Sequence, residues 1–314
     1  MDNRVICVVG PTATGKTKMG VALAKRFGGE VVSVDSMQIY RGMTIGTAAP
    51  TAEETEGIPH HMVAVADPAE SWSVARFTEQ ADRCIQDILC RGRRPVLVGG
   101  TGLYLDSILS GRTFAAGHSG GEVRRALQTE LAQGGIEPLY RQLQAIDPTA
   151  AARLHLSDEK RILRALEVFR ETGETITAHD ARTRLRPPKY RAYTIGLTFR
   201  DRADLYERID CRVDTMVARG LLQEVEALLK SGLPETATAL QAIGYKQFLS
   251  VYRGDTPARD AVAEVKLRSR QYAKRQLTWL RRKEDIHWIL WEKTPDFPAG
   301  LQNATEYLLA QGLG

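Results

Sequence analysis

Lys16 and Thr17 close an eight-residue stretch, Gly10-Pro11-Thr12-Ala13-Thr14-Gly15-Lys16-Thr17, that matches Gly-x-x-x-x-Gly-Lys-Thr throughout. Residues of these types at this spacing can hold a polyphosphate. The glycines let backbone amides converge on an anion, the lysine brings a point charge to a terminal phosphate, and the threonine hydroxyl can bind magnesium. The pattern has this meaning only between a strand and a helix. Val5-Ile6-Cys7-Val8-Val9 before it is a continuous apolar run, as expected of a strand buried on both faces. Met19 to Ala24 after it reads as a helix, whose N-terminus faces the same anion. The motif implies polyphosphate without specifying ATP.

Two other strand ends carry groups of chemical interest. Glu30-Val31-Val32-Ser33-Val34 is a second strand, and it runs into Asp35-Ser36-Met37-Gln38-Ile39-Tyr40. An acid at the carboxyl end of a parallel strand lies on the ligand-binding edge of an open α/β sheet. On its own Asp35 is either the cap of a turn or a catalytic carboxylate. Pro95-Val96-Leu97-Val98 is a further buried strand leading into Gly99-Gly100-Thr101-Gly102-Leu103-Tyr104. Thr101 either caps the following helix or presents its hydroxyl to a ligand. The pair His60-His61 has no third ligand nearby, so a structural or loop role is expected over metal binding.

The elements that must position these groups follow from length and patterning. A chain of 314 residues favours one large domain plus a smaller one, and an apolar fraction of 43% suffices for packed cores. The net charge of +5 permits a nucleic-acid partner without requiring one. Cys7, Cys84, Cys90 and Cys211 are scattered, which indicates neither a zinc site nor a disulfide framework. No apolar run reaches membrane-spanning length, and the first strand begins too early for a signal peptide, so a soluble cytoplasmic protein is expected. Residues 74–91 read as helix. From about Thr113 the pattern changes: a glycine-rich lead-in at 115–121 precedes amphipathic helices at 122–133, 137–145 and 158–172, rich in arginine. The basic stretch 182–191, with Pro187-Pro188, reads as an extended connection. The main domain is then expected over 1–112 and 191–314, with 113–190 as a helical insertion. Strands at 193–198 and 286–290, a helix over 201–230 and a long basic helix over 257–283 complete it. In that last helix Tyr272 and Trp279 lie among Lys266, Arg268, Arg270, Lys274, Arg275, Arg281 and Arg282, a pattern suited either to RNA contact or to inward-packed aromatics.

Taken in order, these motifs resemble one family over nearly the whole chain, the tRNA dimethylallyltransferases, also called tRNA isopentenyltransferases. The resemblance rests on 10–17, on Asp35 to Tyr40, and on the Ile45-Gly46-Thr47-Ala48-Ala49-Pro50-Thr51 and Pro59-His60-His61-Met62 stretches. It continues through 99–104, 160–168, 206–214, 241–247 and 271–279. It implies a P-loop NTPase-like α/β fold, a parallel sheet flanked by helices, with a small inserted all-helical domain. It implies transfer of a dimethylallyl group from dimethylallyl diphosphate to the exocyclic amine of the adenosine just 3′ of the anticodon, position 37. The tRNAs would be those reading codons that begin with U, and diphosphate would be released.

By resemblance, Gly10, Pro11, Thr12, Ala13, Thr14, Gly15, Lys16 and Thr17 hold the diphosphate, with Mg2+ at Thr17 and a further cation from Arg208 or Arg212. Asp35 takes the proton from the attacking amine, because an adenine amine is a poor nucleophile. Ser36, Met37 and Gln38 line the site around an adenosine drawn out of its stack, and Thr101 contacts the tRNA. Arg124, Lys160, Arg161, Ile162, Leu163 and Arg164 of the insertion bind the anticodon stem-loop, and the protein is expected to be a monomer. Ala49 stands where lysine is common in the family, which puts a phosphate contact from that position in doubt. Three other readings share some of these features. One is a P-loop kinase of small molecules using ATP, one an adenylate prenyltransferase, and one an RNA-binding protein that uses the loop as a switch. The first two give no purpose to the arginine-rich insertion. The third gives none to Lys16, Thr17 and Asp35 together.

Overall fold

Alternate residues of β1 (Arg4–Val9) point to opposite faces of a sheet. Val5, Cys7 and Val9 enter one apolar cluster, while Ile6 and Val8 enter another. A strand wanted on both faces has no polar position, which is why the run 5–9 is unbroken. The computed structural model describes residues 2–111, 121–184 and 187–313. Among them, β1, β2 (Gly29–Val34), β3 (His60–His61), β4 (Arg94–Gly99), β5 (Arg191–Phe199) and β6 (Ile286–Trp291) form one sheet in the order β3-β2-β4-β1-β5-β6. Every pairing is parallel.

Register then determines what can be neighbours at the ligand edge. Val9 pairs with Gly99, and Gly99 with Val34. The three residues that follow, Gly10, Asp35 and Gly100, therefore leave the sheet side by side. Helices cover both faces. The helix Val74–Cys90 buries Phe77, Ala81, Ile85 and Ile88 on one, at helical spacing. The helices Lys16–Arg26 and Phe297–Ala310 bury Met19, Leu23, Ala304 and Leu308 on the other.

The chain divides into two compact units. The first comprises Met1–Leu109 and Lys189–Gly314 and holds the sheet. The second, Ser110–Pro188, is helical: Glu122–Gly134, Ile136–Ile146, Pro148–Ala151, Glu159–Thr172 and Ile176–Arg184. It has a core of its own in which Leu127, Leu139, Leu143, Ile162 and Leu166 meet. The lead-in expected at 115–121 lies, up to Gly120, outside the described residues, as do Leu185 and Arg186 of the basic stretch.

Some elements differ from the sequence reading. The helix expected over 201–230 is two, Arg202–Ala218 and Leu221–Lys230, because Gly220 takes φ 98°, a left-handed conformation that ends the first helix. The basic stretch expected to be extended begins inside the helix Ile176–Arg184, and among its described residues Pro187 to Tyr190 are non-helical and lead into β5. Residues Tyr245–Tyr252 form a helix that was not anticipated. The paired histidines form the short edge strand β3, the structural of the two roles expected for them, and His61 lies against a buried acid.

That acid is Glu30, 2% exposed near the start of β2. It accepts hydrogen bonds from both terminal nitrogens of Arg91, Nη2 at 2.9 Å, and lies 2.8 Å from Nε2 of His61. The Arg91 hydrogen bonds, with His61, hold its carboxyl down to about 2 against an ordinary value of 4.5. A carboxyl whose pKa falls on folding stabilises the fold above its unfolded value and loses that contribution as pH drops toward the folded one. Glu30→Gln is therefore expected to cost about 3 kcal/mol at pH 7. Urea unfolding of both proteins checks this: the gap should close as pH falls from 4.5 toward 2, and a gap independent of pH would contradict the assignment.

Candidate functional site

The loop after β1 is shaped by close approach. Gly10 has φ 151°, and a Cβ there would lie 2.3 Å from the Leu197 carbonyl oxygen of β5. Gly15 has φ 83°, and a Cβ there would meet the Phe297 ring at 2.3 Å. Between them Ala13 holds φ 67°, an uncommon conformation for a residue with a side chain. Inside the loop the Thr14 hydroxyl donates to Pro11 O at 3.0 Å, and the indole N–H of Trp291 donates to Thr14 O at 3.0 Å. The helix Lys16–Arg26 then starts with no side-chain cap and no acid in its first turn. Its first amides are left for an anion, and the helix dipole favours one.

Two cations converge on this point. Lys16 Nζ donates to Pro11 O at 2.7 Å. Burial pulls its pKa down to about 7, the charge of Arg212 pushes the same way, and Asp35 opposes them. Arg212, on the helix Arg202–Ala218, has a buried Nε with no hydrogen-bond partner. Burial lowers its pKa too, against the pull of Asp35 and Glu54. Among the described residues neither cation forms an ion pair. Arg208 is placed differently: its Nε donates to Ala13 O at 3.3 Å and its guanidinium lies over Phe199, 5.5 Å from the ring centre. Of the two arginines, Arg212 is the one that acts on Lys16 and Asp35, and Arg208 braces the loop from behind.

Asp35 fills the structural role expected of a cap and keeps a group spare. Its Oδ1 accepts from the amides of Met37 at 2.8 Å and Gln38 at 3.2 Å. Its Oδ2 makes no hydrogen bond among the described residues. Ser36 is half-buried beside it, and Met37 packs against the apolar cluster beneath. Gln38 is committed within the protein: its Oε1 accepts from Ser33, and its Nε2 faces the carbonyls of Thr47 and Ala48. That turn is clamped in its own right, since the carboxylate of Glu224 accepts from the amides of Thr44, Ile45 and Gly46 and from the Tyr245 hydroxyl.

Thr101 does not cap a helix with its side chain. Its carbonyl accepts the first helical bonds, from Tyr104 and Leu105, while its hydroxyl is buried without a partner. Tyr272 lies near enough to Asp35 for that charge to add to burial in raising its pKa. Gln276, one turn further along the helix Ala258–Leu280, joins the Thr12 amide to the Gly100 carbonyl. Gln276, Trp291, Phe297 and Glu224 had no place in the sequence reading as site residues. Each acts through a partner more than 170 positions away, and only the stretch 271–279 pointed to any of them.

The insertion corrects part of the expected RNA-contacting set. Ile162 and Leu163 are 0% and 4% exposed in the core of the second unit, so their side chains pack inward and hold the helix Glu159–Thr172 in place. Lys160 and Arg161 are exposed, Arg161 with Asp158 at 3.4 Å. Arg164 and Arg124 both face one oxygen of the buried Glu167, at 2.8 and 3.7 Å. In the long basic helix, Lys266 pairs with Asp214 and Arg270 with Asp210, which fastens it to the helix Arg202–Ala218. Trp279 packs inward beside Gly102. Lys274, Arg281 and Arg282 are exposed and form no ion pair among the described residues.

Known proteins resemble this chain along nearly its whole length. The family model described as IPP transferase matches residues 38–283, and one described as isopentenyl transferase matches residues 3–64. The tRNA dimethylallyltransferase of Acetivibrio thermocellus is 42% identical over 313 residues, 100% of this chain and 99% of its own. That of Geobacter metallireducens is 45% identical over 286 residues, covering 91% and 92% of the two chains. The crystal structure of the tRNA isopentenylpyrophosphate transferase of Bacillus halodurans superposes with TM-score 0.72 at 40% identity, over 99% of this chain and 97% of that one. A eukaryotic dimethylallyltransferase captured acting on tRNA gives TM-score 0.82 at 30% identity, over 98% of this chain and 78% of that one. A chain matched by these models, these relatives and these structures belongs to the IPP transferase family, that of the tRNA dimethylallyltransferases.

Proposed function

We propose that this enzyme transfers a dimethylallyl group from dimethylallyl diphosphate to the exocyclic amine of adenosine 37 in tRNAs reading codons that begin with U. The observation that carries the reading is the pair Lys16 and Arg212, which form no ion pair among the described residues and lie near enough to Asp35 for its charge to act on both. A site of this kind suits a leaving group that gains negative charge. The bond from the prenyl C1 to the diphosphate oxygen breaks, a bond from the adenine amine nitrogen to C1 forms, and Asp35 receives the displaced proton. Loop amides, Lys16 and Arg212 stabilise the departing diphosphate.

Mg2+ fits this loop in one limited sense. The Thr17 hydroxyl makes no hydrogen bond among the described residues, and no cluster of three acid, imidazole or thiol groups surrounds it. Thr17 and the substrate's own phosphate oxygens would hold the ion, the usual arrangement for magnesium in phosphate sites. When bound it would neutralise charge on the leaving diphosphate.

Thr101, with its unpartnered hydroxyl, and Ser36 are then the contacts for the extruded adenosine. Arg124, Lys160, Arg161 and Arg164 of the segment 113–190 are the contacts for the anticodon stem-loop. Their cationic chains suit a phosphate backbone. No helix among the described residues is long and apolar enough to cross a membrane. A monomer working in the cytoplasm is the simplest form of the enzyme.

Mass spectrometry of unmodified tRNA incubated with the protein, magnesium and either dimethylallyl diphosphate or ATP tests the reading. One prenyl group on the anticodon-loop adenosine, with the diphosphate alone, is expected. Phosphoryl transfer from ATP would point to the kinase instead, and prenylation of free AMP in place of tRNA to the adenylate prenyltransferase. Asp35→Ala should lower the transfer rate about 10²–10⁴-fold and leave tRNA affinity within a few-fold. Loss of binding with turnover kept would remove Asp35 from its role. Arg212→Met should weaken binding of inorganic diphosphate about tenfold or more, and Arg208→Met less, by titration calorimetry. Equal losses would show that the loop's bracing matters as much as the enclosed charge.

A further inference from the structure

Most polar side chains of the helix Ala258–Leu280 face solvent, and Gln276 is the exception. It is 7% exposed and lies against the candidate site. Its Oε1 accepts from the Thr12 amide at 3.1 Å, and its Nε2 donates to the Gly100 carbonyl at 3.0 Å. Thr12 belongs to the loop after β1, and Gly100 to the turn after β4. The two segments nearly touch here. A Cβ on Gly100 would lie 2.2 Å from Gln276 Nε2 and 3.0 Å from Gly10 O.

The chemistry of the bridge is specific. One edge offers a donor and the other an acceptor. A carboxamide carries one of each in a rigid plane, where a carboxylate only accepts and an ammonium only donates. Asparagine has the right groups on a stem one carbon shorter. The residue next to Gly100 is Thr101, whose amide donates to Val34 O at 3.4 Å, one residue before Asp35. The bridge therefore links the loop to the edge that carries Thr101 and Asp35.

We propose that Gln276 is a positioning residue that sets the gap between the loop holding the diphosphate and the edge holding the acceptor amine. The proposal rests on the prenyl-transfer reading above. Transfer requires carbon and nitrogen aligned at near-contact distance, and a displacement of about 1 Å at such a centre costs on the order of 10²-fold in rate. Gln276 touches neither reacting atom and acts through two backbone groups.

Steady-state transfer to unmodified tRNA by Gln276→Met and Gln276→Asn decides the matter, with thermal melts and with affinities for tRNA and for inorganic diphosphate. Met keeps the length and removes both hydrogen bonds, while Asn keeps the amide and is too short to span both. Both variants should lose about 10–100-fold in kcat. Both affinities should stay within about threefold, well below that loss. A folded variant with kcat within about twofold of wild type, or with only binding lost, overturns the proposal. So does a lowered Tm with kcat intact, which marks a purely structural glutamine. Should Gln276→Met fail to fold, Gln276→Asn alone decides. A wild-type protein that transfers no prenyl group overturns the functional reading and the proposal with it, whereas active wild type with active variants overturns the proposal alone.

Discussion

Lys16 and Arg212 place two positive charges in an enclosed space with no acid to pair with either among the described residues. The helix beginning at Lys16 adds partial positive charge from its own amides. Such an arrangement opposes folding, since like charges repel and desolvation penalises each. It becomes favourable when an anion with several oxygens enters. The pKa of Lys16 expresses that tension, and so does the hydrogen bond it makes meanwhile to the Pro11 carbonyl. Asp35 is near enough to relieve part of the repulsion without forming an ion pair. A tighter pair would neutralise the charge available to such an anion and occupy the oxygen of Asp35 that makes no hydrogen bond among the described residues.

Holding that geometry is the work of the surrounding backbone. Parallel pairing of β1, β4 and β2 brings Gly10, Gly100 and Asp35 to one edge, and no side chain has to arrange it. The detail beyond register is supplied from far along the chain. Trp291 fixes Thr14 O, Phe297 lies against Gly15, and Gln276 spans Thr12 and Gly100. All three come from the last 39 residues of the chain, counting from Gln276 to Gly314. The loop's shape therefore depends on that terminal segment being folded, although its own motif is complete within eight residues.

This division explains what could be read beforehand. The loop, the strand runs and Asp35 are local patterns, in which hydrophobic period and neighbouring turn residues carry the information. Thr101 was legible as one of two things, and only the geometry separates them: its carbonyl starts the helix while its hydroxyl stays unpartnered. Arg208 and Arg212 are one helical turn apart on one helix, so sequence could not rank them. Gln276 and Glu224 escaped because a buried amide or carboxylate is recognised by partners that no local window contains. The break at Gly220 was visible as a glycine, but helical periodicity on either side concealed it. Ile162 and Leu163 were drawn into the RNA-contacting set by adjacency to Lys160, Arg161 and Arg164. The helical period sends them to the opposite face.

The same period separates structural from available cations in the long basic helix. Lys266 and Arg270 stand four apart, and their partners Asp210 and Asp214 stand four apart on the helix Arg202–Ala218, so two rungs fasten one helix to the other. That pairing uses two of the charges that, in sequence, suggested an RNA surface. It also fixes the helix that bears Arg212 against the helix that bears Gln276. The cations left without ion pairs among the described residues, Lys274, Arg275, Arg281 and Arg282, lie at and just past the far end of the helix, beyond the rungs. Charge count alone would assign every basic residue of this helix and its C-terminal end to one task. Partner geometry assigns some of them to holding the enclosed cation and its positioning amide where the chemistry requires them.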